Sequence, residues 1–378
     1  MSQEAMSRRQ RIEKALRLEK TDRVPVSPLI TFTYVLRHKG IPQTEAEKNP
    51  DRVKELLYTT FTELGEFDAV SSPGVGRRHD FSPLQGPMSV RGAGKGLPDN
   101  AIFQYEEKEV MTVEDYDRVL EDGWDQFALE LYCRIWGEPA DKIIARHQKS
   151  ESQWWHDLQL WEEKDIPIFL NFSVWSPLMI LSCCRSLTPF TLDLYRRPDK
   201  VAAVMDVMVD DLIRGAIDLA RSGGPRTFQL VLERGSAFYY PLKLFERFEF
   251  PYIKKMVEAF VAEGLIPVLH LDTDWTKNLP YFKELPKGKC ACELDSTTDI
   301  FKAKEILQDH ICIKGDVPAA MLSLGTPEQV ETYCKKLIDF VGKKGGFILS
   351  TGCNCPIDAK FENLKAMIDT AKNYLPST

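Results

Sequence analysis

The sequence is most informative at first for what it lacks. None of its apolar runs approaches the roughly 18 residues that a membrane-spanning helix needs. The segment from Met1 to Leu18 is charged and has no apolar centre of the kind found in signal peptides. No cluster of Lys and Arg interleaves with aromatic residues, and the formal net charge is −7. We therefore expect a cytoplasmic protein whose partners include neither a membrane nor a nucleic acid.

Cysteine is also used in a way that excludes a disulfide scaffold. The nine cysteines are odd in number and show no paired spacing, which is typical of a reducing compartment. The pair Cys290 and Cys292 has one residue between its members, a poorer spacing for structural zinc than two, and we interpret it as strand packing. Hydrophobic residues make up 43% and charged residues 28% of the 378 residues, as in an ordinary globular protein.

A regular alternation of strands and helices begins at Ile166. Six predicted strands are each followed by a helical segment, the first of which is predicted over Leu192 to Arg221. These strands are Ile166–Val174, Thr227–Leu232, Pro267–Leu271, Lys289–Leu294, Ile311–Lys314 and Phe347–Ser350. Two earlier extended segments, Arg23–Ile30 and Phe67–Ser71, bring the predicted strands to eight. Eight parallel strands with intervening helices predict an α/β protein with a (β/α)8 TIM barrel. A doubly wound open sheet is the alternative, but no glycine-rich phosphate loop follows any strand.

The stretch from Gly74 to Trp161 interrupts this pattern after the second predicted strand. Glycines, prolines and short apolar pieces up to Glu109 indicate a β-hairpin, and the rest is mostly helical. The stretch is too long for a plain crossover connection. We predict a single barrel domain over residues 1–378, with residues 74–161 as an inserted hairpin and helical lid.

The carboxyl ends of the predicted strands carry polar side chains. In a (β/α)8 barrel the active site lies at these ends. They supply oxygen, nitrogen and sulfur groups from Asn171, Glu233, His270, Asp272, Glu293, Asp295, Asp316 and Cys353. The strand starts are apolar or rich in lysine, and this asymmetry predicts an active site.

A zinc site is one interpretation of this end of the barrel. His270 and Asp272 lie two residues apart and would face the same way, and Cys353 ends another strand. His270, Cys353, Glu249 and Glu233 would give a mixed shell acceptable to zinc, with Asp272, Asp316 and Asn171 as candidate catalytic residues. The alternative is a hydrogen-bonded histidine, an inert thiol, and a Glu249 that only stabilises a helix N-terminus.

Several stretches together resemble a known family. Over nearly its whole length the chain resembles the uroporphyrinogen decarboxylase superfamily. The resembling stretches are Asp22–Val26, Glu114–Asp117, the His270 strand, Lys314–Pro318, Leu324–Pro327, Gly352–Cys353 with Pro356, and Glu362–Asn363.

The resemblance is to the cobamide-dependent methyltransferase branch. The decarboxylases of this superfamily carry an Arg-Gln-Ala-Gly-Arg-Tyr stretch that grips substrate carboxylates, whereas Thr31–Arg37 here lacks it. The methyltransferases bind zinc through His-x-Cys and a later Gly-Cys. His270 and Cys353 match, but Asp272 replaces the first cysteine. The ether-cleaving members resemble this chain more, which implies zinc-dependent transfer of a methyl group from a methoxylated aromatic to cob(I)alamin.

The corrinoid is expected on a separate protein, because the cobalamin-ligand signature Asp-x-His-x-x-Gly is absent. Aromatic residues near the predicted loops would suit a flat ligand. They are Tyr34, Trp154, Trp155, Trp175, Phe238, Tyr239, Tyr240 and Trp275. Three alternatives stay open: another methyl donor or acceptor (a thiol, an amine or tetrahydrofolate), a tetrapyrrole decarboxylase using Arg77, Arg78 and Arg91, and a corrinoid-protein or ligand-binding module without catalysis. Zinc ligation by Cys353 or by a second carboxylate also stays open.

Overall fold

A computed structural model describes residues 6–75, 81–170, 172–222 and 226–375. The strands are β1 Ser89–Ala93, β2 Gly96–Leu97, β3 Gln104–Glu106, β4 Ser173–Trp175, β5 Thr227–Val231, β6 Ile266–Leu271, β7 Ala291–Leu294, β8 Cys312–Val317 and β9 Phe347–Thr351. The α-helices are α1 Arg8–Leu16, α2 Phe32–His38, α3 Glu45–Lys48, α4 Pro50–Glu63, α5 Asp115–Asp122, α6 Trp124–Trp136, α7 Ala140–Glu162, α8 Pro177–Cys184, α9 Leu187–Arg196, α10 Pro198–Arg221, α11 Leu242–Phe248, α12 Phe250–Ala262, α13 Ile300–Leu307, α14 Ala319–Leu324, α15 Pro327–Phe340 and α16 Phe361–Asn373. Short 3-10 helices span Glu233–Gly235 and Leu279–Glu284.

The six strands β4 to β9 form a parallel sheet in sequence order, and two earlier segments close it into a barrel. Val26 forms a parallel bridge with Leu349 of β9, and Val70 forms one with Ile168, just before β4. The backbone N–H of Asp68 donates to the carbonyl of Val26 at 2.8 Å, which joins the two segments to each other. The predicted (β/α)8 barrel is thereby confirmed.

Several predicted strands are shorter in the structure: Phe67–Ser71 is reduced to the bridge at Val70, and Ile166–Val174 to the bridge at Ile168 and strand β4. Two further predicted elements differ because of proline. The extended segment Arg23–Ile30 is reduced to the single bridge at Val26, because Pro25 and Pro28 have no N–H to donate to a neighbouring strand. The single helix predicted over Leu192–Arg221 is divided between α9 and α10. The break falls at Arg197, whose φ of −138° is not helical, since a residue before proline avoids the helical region.

The amino-terminal end of the barrel is closed by α1. Ile12 and Leu16 of this helix pack into a cluster with Phe169, Val268 and Ile348, from the early parts of three barrel strands. Beside this cluster the buried carboxylate of Asp68 accepts hydrogen bonds from Arg11 and Arg23, both at 2.7 Å. With this end filled, a ligand can enter the barrel interior from the carboxyl ends of the strands.

The insertion contains the predicted hairpin and helices. Strand β1 pairs antiparallel with β3 and parallel with the short β2, and helices α5 to α7 follow. The indole N–H of Trp161 donates to the carbonyl of Pro73 at 2.8 Å, and a Cβ added at Gly74 would lie 2.5 Å from the ring of Trp154. Helix α7 is therefore packed tightly on the segment that follows the second barrel strand. A lid function for residues 74–161 stays a prediction.

Within the described ranges, no helix combines the length and apolar character needed to cross a membrane.

Candidate metal centre

Three predicted site residues meet at the carboxyl ends of β6 and β9. The Nε2 atom of His270 lies 3.4 Å from Oδ1 of Asp272 and 3.7 Å from Sγ of Cys353. The ligand atoms of all three residues lie within 4.8 Å of one another. The spacing of His270 and Asp272 on one strand face, and the position of Cys353 at a second strand end, therefore bring these groups together.

The two distances from Nε2 of His270 suit a tetrahedral metal ion. Two ligands that each lie roughly 2.0 to 2.3 Å from zinc are expected to lie roughly 3.3 to 3.8 Å apart. Oδ1 of Asp272 is buried, and apart from Nε2 of His270 at 3.4 Å it has no hydrogen-bond donor among the described residues. A buried carboxylate oxygen without a donor is unfavourable unless a cation reaches it. An imidazole, a carboxylate and a thiol are also a donor set that zinc accepts.

The imidazole of His270 is oriented by Glu293 on the neighbouring strand β7. The register pairs His270 with Glu293, and Nδ1 of His270 lies 2.7 Å from Oε2 of the carboxylate. Burial raises the pKa of Glu293, but the Lys314 cation and His270 outweigh it and bring the pKa well below its usual value. An ionised Glu293 accepts, so Nδ1 carries the proton and Nε2 presents its lone pair to Asp272 and Cys353. This is the arrangement that metal-binding histidines use.

Without a metal, the same position favours a proton. Burial lowers the pKa of His270, but hydrogen bonds with Asp272, Cys353 and Glu293 raise it well above its usual value. The Nε2 proton then lies between a carboxylate and a sulfur atom. A metal ion that binds here would replace that proton, so metal binding is expected to release protons.

A fully buried lysine supports Glu293 from the next strand, β8. Lys314 is opposite Glu293 in the register and donates to its Oε1, and also to the hydroxyl of Ser350 at 2.8 Å. The amide of Gln229 donates to Oε2 of Glu293 at 2.9 Å. The carboxylate therefore has donors on both oxygens and a counter-charge inside the barrel, which fixes the imidazole beside it.

The turn that presents Cys353 depends on a glycine. A Cβ added at Gly352 would lie 2.9 Å from the carbonyl oxygen of Asp295, so a larger residue would push the turn away. The N–H of Gly352 donates to the carbonyl of Val317 at 3.0 Å, and the hydroxyl of Thr351 donates to the carbonyl of Cys353. The Gly-Cys pair thus places the thiol close to His270. Burial raises the pKa of Cys353, and His270 opposes this.

The two predicted glutamate ligands lie at different distances from this group. Oε1 of Glu233, in the 3-10 turn after β5, lies 4.0 Å from Nε2 of His270. Glu249 lies between α11 and α12, where Ser176 donates to its Oε1 at 2.9 Å. Burial raises the pKa of Glu249 to about 8, and a Cβ added at Gly235 would lie 2.6 Å from its Oε1. Glu249 therefore packs on the turn that carries Glu233 without belonging to the three-residue group, and its role as a ligand stays a prediction.

The other candidate catalytic residues are placed as follows. Asp316 accepts a hydrogen bond from the hydroxyl of Tyr333 at 2.8 Å, on helix α15 outside the barrel, rather than from the His270 group. Asn171 lies outside the described residues, as do Arg77 and Arg78. The catalytic roles of Asp316 and Asn171 stay predictions.

The sequence analysis did not assign a role to Glu293 or Lys314. In each case the signal is a charged residue within an apolar strand.

Asp316 gives a testable pH dependence. Burial raises its pKa to about 7, with the Tyr333 hydroxyl opposing and Asp299 adding to the shift. The folded state therefore holds a proton that the unfolded state loses above about pH 4, and the stabilisation disappears as the pH rises through 7. In urea unfolding at pH 5.5 and pH 8, we expect the native protein to lose roughly 2 kcal/mol more stability than Asp316→Asn. Equal losses in the two proteins would contradict this assignment.

A cavity of about 660 Å³ opens beside His270 and Glu233. Aromatic side chains form much of its wall, from the insertion and from the β4 region. They are Phe81, Phe103, Tyr105, Trp154, Phe172 and Trp175. Of the predicted aromatic cluster, Trp154 and Trp175 line this cavity, whereas Tyr34 and Trp275 are buried in the core. The candidate metal centre thus borders a space of the size and character that a small aromatic molecule needs.

Comparison with known proteins places the chain in a family. The family model for uroporphyrinogen decarboxylase matches residues 170–374, more than half of the 378. The chain belongs to the uroporphyrinogen decarboxylase family. The matched region contains His270, Glu293, Lys314 and Cys353, so the candidate metal centre lies within the part of the chain that defines the family.

Within this family, the similarities extend to the methyltransferase branch. The chain is 30% identical over 182 residues to the methylcobamide:CoM methyltransferase MtbA of Methanosarcina mazei, a match that covers 48% of this chain and 52% of that protein. It is 29% identical over 133 residues to the uroporphyrinogen decarboxylase of Chlorobium luteolum, covering 34% of this chain and 37% of the other. The chain spans about half the length of the methyltransferase relatives it matches. The predicted resemblance to the cobamide-dependent methyltransferase branch is confirmed.

A solved structure shares the whole fold. A methyltransferase from Methanosarcina mazei superposes with a TM-score of 0.66 at 17% sequence identity, covering 97% of this chain and 98% of the other. At this identity the likeness establishes the fold, over nearly the complete chain.

Proposed function

We propose that this family member is a zinc-dependent methyltransferase that moves a methyl group from a methoxylated aromatic to cob(I)alamin on a separate corrinoid protein. The observation that carries the proposal is the group of His270, Asp272 and Cys353 beside an aromatic-lined cavity. These three residues would bind the zinc ion, and Oε1 of Glu233 lies 4.0 Å from Nε2 of His270.

The chemistry follows from how poorly an aryl ether gives up its methyl group. When the carbon–oxygen bond breaks, its electron pair stays on the oxygen, and the phenolate that results is a poor leaving group. Zinc, when bound, supplies a Lewis acid that stabilises this developing negative charge. Glu293 holds the imidazole of His270 in place, and the aromatic walls position the ring and exclude water from the reacting atoms.

A second candidate is transfer of a methyl group between a methylcobamide and another acceptor, such as a thiol. The observation that favours it is the similarity to relatives named as methylcobamide:CoM methyltransferases. The carboxylate of Asp272 favours the ether reaction instead, because it stands where the family's zinc-binding pattern has a cysteine. A tetrapyrrole decarboxylase has less support, since no Lys or Arg lines the described part of the cavity.

The two candidates are separated by the direction of transfer. The zinc-loaded protein is mixed with a reduced corrinoid protein and either 4-methoxybenzamide or an alkyl thiol, and the cobalamin absorbance is followed. Formation of methylcobalamin from the ether supports the proposal, whereas methyl transfer from methylcobalamin to the thiol alone supports the second candidate. Transfer in neither direction contradicts both.

Cys353 distinguishes two zinc shells. If its sulfur is a ligand, Cys353→Ser is expected to weaken zinc binding by roughly tenfold or more, because a thiolate is a far stronger zinc ligand than a hydroxyl. Zinc affinity is measured by competition with a chromophoric chelator. Cys133→Ser, a half-buried thiol on α6, is the matched control and should retain the native affinity. Unchanged affinity in Cys353→Ser would instead support a shell of Glu233, Glu249 and His270.

A further inference from the structure

The cavity beside the candidate metal centre has an unbalanced set of charges. Three of its described lining residues are acidic: Glu151, Asp218 and Glu233. No described lining residue is a lysine or an arginine. His147 and His270 are the ionisable nitrogen groups on the described wall. The described wall therefore has no permanent positive charge that could pair with an anionic substituent of a ligand.

The acidic groups are not neutralised equally. Asp218 lies at an exposed edge with Arg221 4.0 Å away, so its charge is partly balanced and screened. Glu151 is less exposed, on helix α7, and Nε2 of His147 lies 4.0 Å from its Oε2. Glu233 is also on the cavity wall, with its Oε1 4.0 Å from Nε2 of His270. A nearby anion would be repelled by both carboxylates.

A bound zinc ion would not make the cavity wall positive. Two negative ligands, the carboxylate of Asp272 and the thiolate of Cys353, neutralise the two charges of the ion, and Glu233 adds another negative charge nearby. A ligand with a carboxylate would thus meet like charges from α7 and from the metal centre. An uncharged ring of the same shape would keep all its contacts with the aromatic walls.

We propose that the cavity selects methoxylated aromatics that carry no anionic substituent. This inference rests on the proposed function and names its substrate class. Glu151 contributes to the selection from helix α7, on the insertion. Trp154, three residues further along this helix, is held against Gly74, so the wall that carries Glu151 is fixed close to the barrel.

The test uses two ligands that differ in charge and little else, 4-methoxybenzamide and 4-methoxybenzoate. Binding to the zinc-loaded full-length protein is measured by calorimetry and by quenching of tryptophan fluorescence, since Trp154 and Trp175 line the cavity. We expect the amide to bind roughly tenfold or more tightly than the benzoate. Glu151→Gln should narrow this ratio by about threefold, through tighter binding of the benzoate. Glu162→Gln, an exposed residue of the same helix, should leave the ratio unchanged.

Equal or tighter binding of the benzoate would overturn the inference, as would binding of neither ligand. If the benzoate binds more tightly than the amide, the Arg77→Met, Arg78→Met double variant is measured next. Loss of benzoate binding in this variant would show that the two arginines bind its carboxylate. Methyl transfer to the reduced corrinoid protein is measured separately. Tight binding of the amide without transfer would contradict the proposed function and leave the charge selection intact.

Discussion

His270→Ala is expected to remove zinc binding and methyl transfer together. Among the described residues, His270 forms the candidate metal centre with Asp272 and Cys353, and its Nε2 is the one nitrogen ligand in this group. Glu293 already fixes the orientation of the imidazole ring. Loss of an outer partner of a metal ligand costs roughly 10- to 100-fold in affinity, and loss of the ligand itself should cost more. We therefore expect well below one zinc per chain after dialysis, by mass spectrometric metal analysis, and methyl transfer at background level.

The control for this variant is His156→Ala. His156 is an exposed residue on α7 and does not belong to the group of His270, Asp272 and Cys353. The control should bind one zinc per chain as tightly as the native protein. Full zinc retention in His270→Ala would refute the placement of the metal, whatever its activity.

Lys314→Met is expected to cause the largest loss of stability. Lys314 and Glu293 form an ion pair in the barrel interior, where neither side chain is more than 1% exposed. Methionine fills a similar volume but removes the Lys314 cation, which leaves the buried carboxylate of Glu293 with only His270 and Gln229 as donors among the described residues. Breaking a buried pair on one side costs about 3 to 5 kcal/mol. Urea unfolding of the metal-free protein should show this decrease in the free energy of unfolding.

The double variant separates charge from packing. Glu293→Gln removes the carboxylate charge but keeps an oxygen that can accept from Nδ1 of His270. In Glu293→Gln, Lys314→Met no charge is left unpaired, so the double variant should be more stable than Lys314→Met alone. If the double variant is instead less stable by the sum of the two single effects, the pair contributes through packing and the electrostatic account is wrong.

The barrel could be predicted from sequence because its signal is local. Each strand–helix unit after Ile166 carries its own periodicity, and the observed strands β5, β6 and β9 begin and end within one residue of the prediction. The first two strands of the barrel were harder to predict, because their pairing rests on isolated bridges at Val26 and Val70. Such closure depends on segments far apart in the chain, which periodicity does not report.

The candidate site was predictable where one strand held two groups. The two-residue spacing of His270 and Asp272 places both side chains on one face, so their proximity follows from strand geometry. The support from Glu293 and Lys314 depends on the register between three strands, in which His270, Glu293 and Lys314 lie side by side. Register is set by packing of the whole barrel, and no local pattern in the sequence specifies it.

X-ray absorption at the zinc edge tests the central claim most directly, because it reports the atoms around the ion. If His270, Asp272 and Cys353 bind zinc, the spectrum of the loaded protein will require one sulfur at roughly 2.3 Å together with nitrogen and oxygen ligands at roughly 2.0 to 2.2 Å. The sulfur contribution should disappear in Cys353→Ser. A native spectrum fitted by nitrogen and oxygen alone, or a purified protein that binds no zinc, would contradict the account.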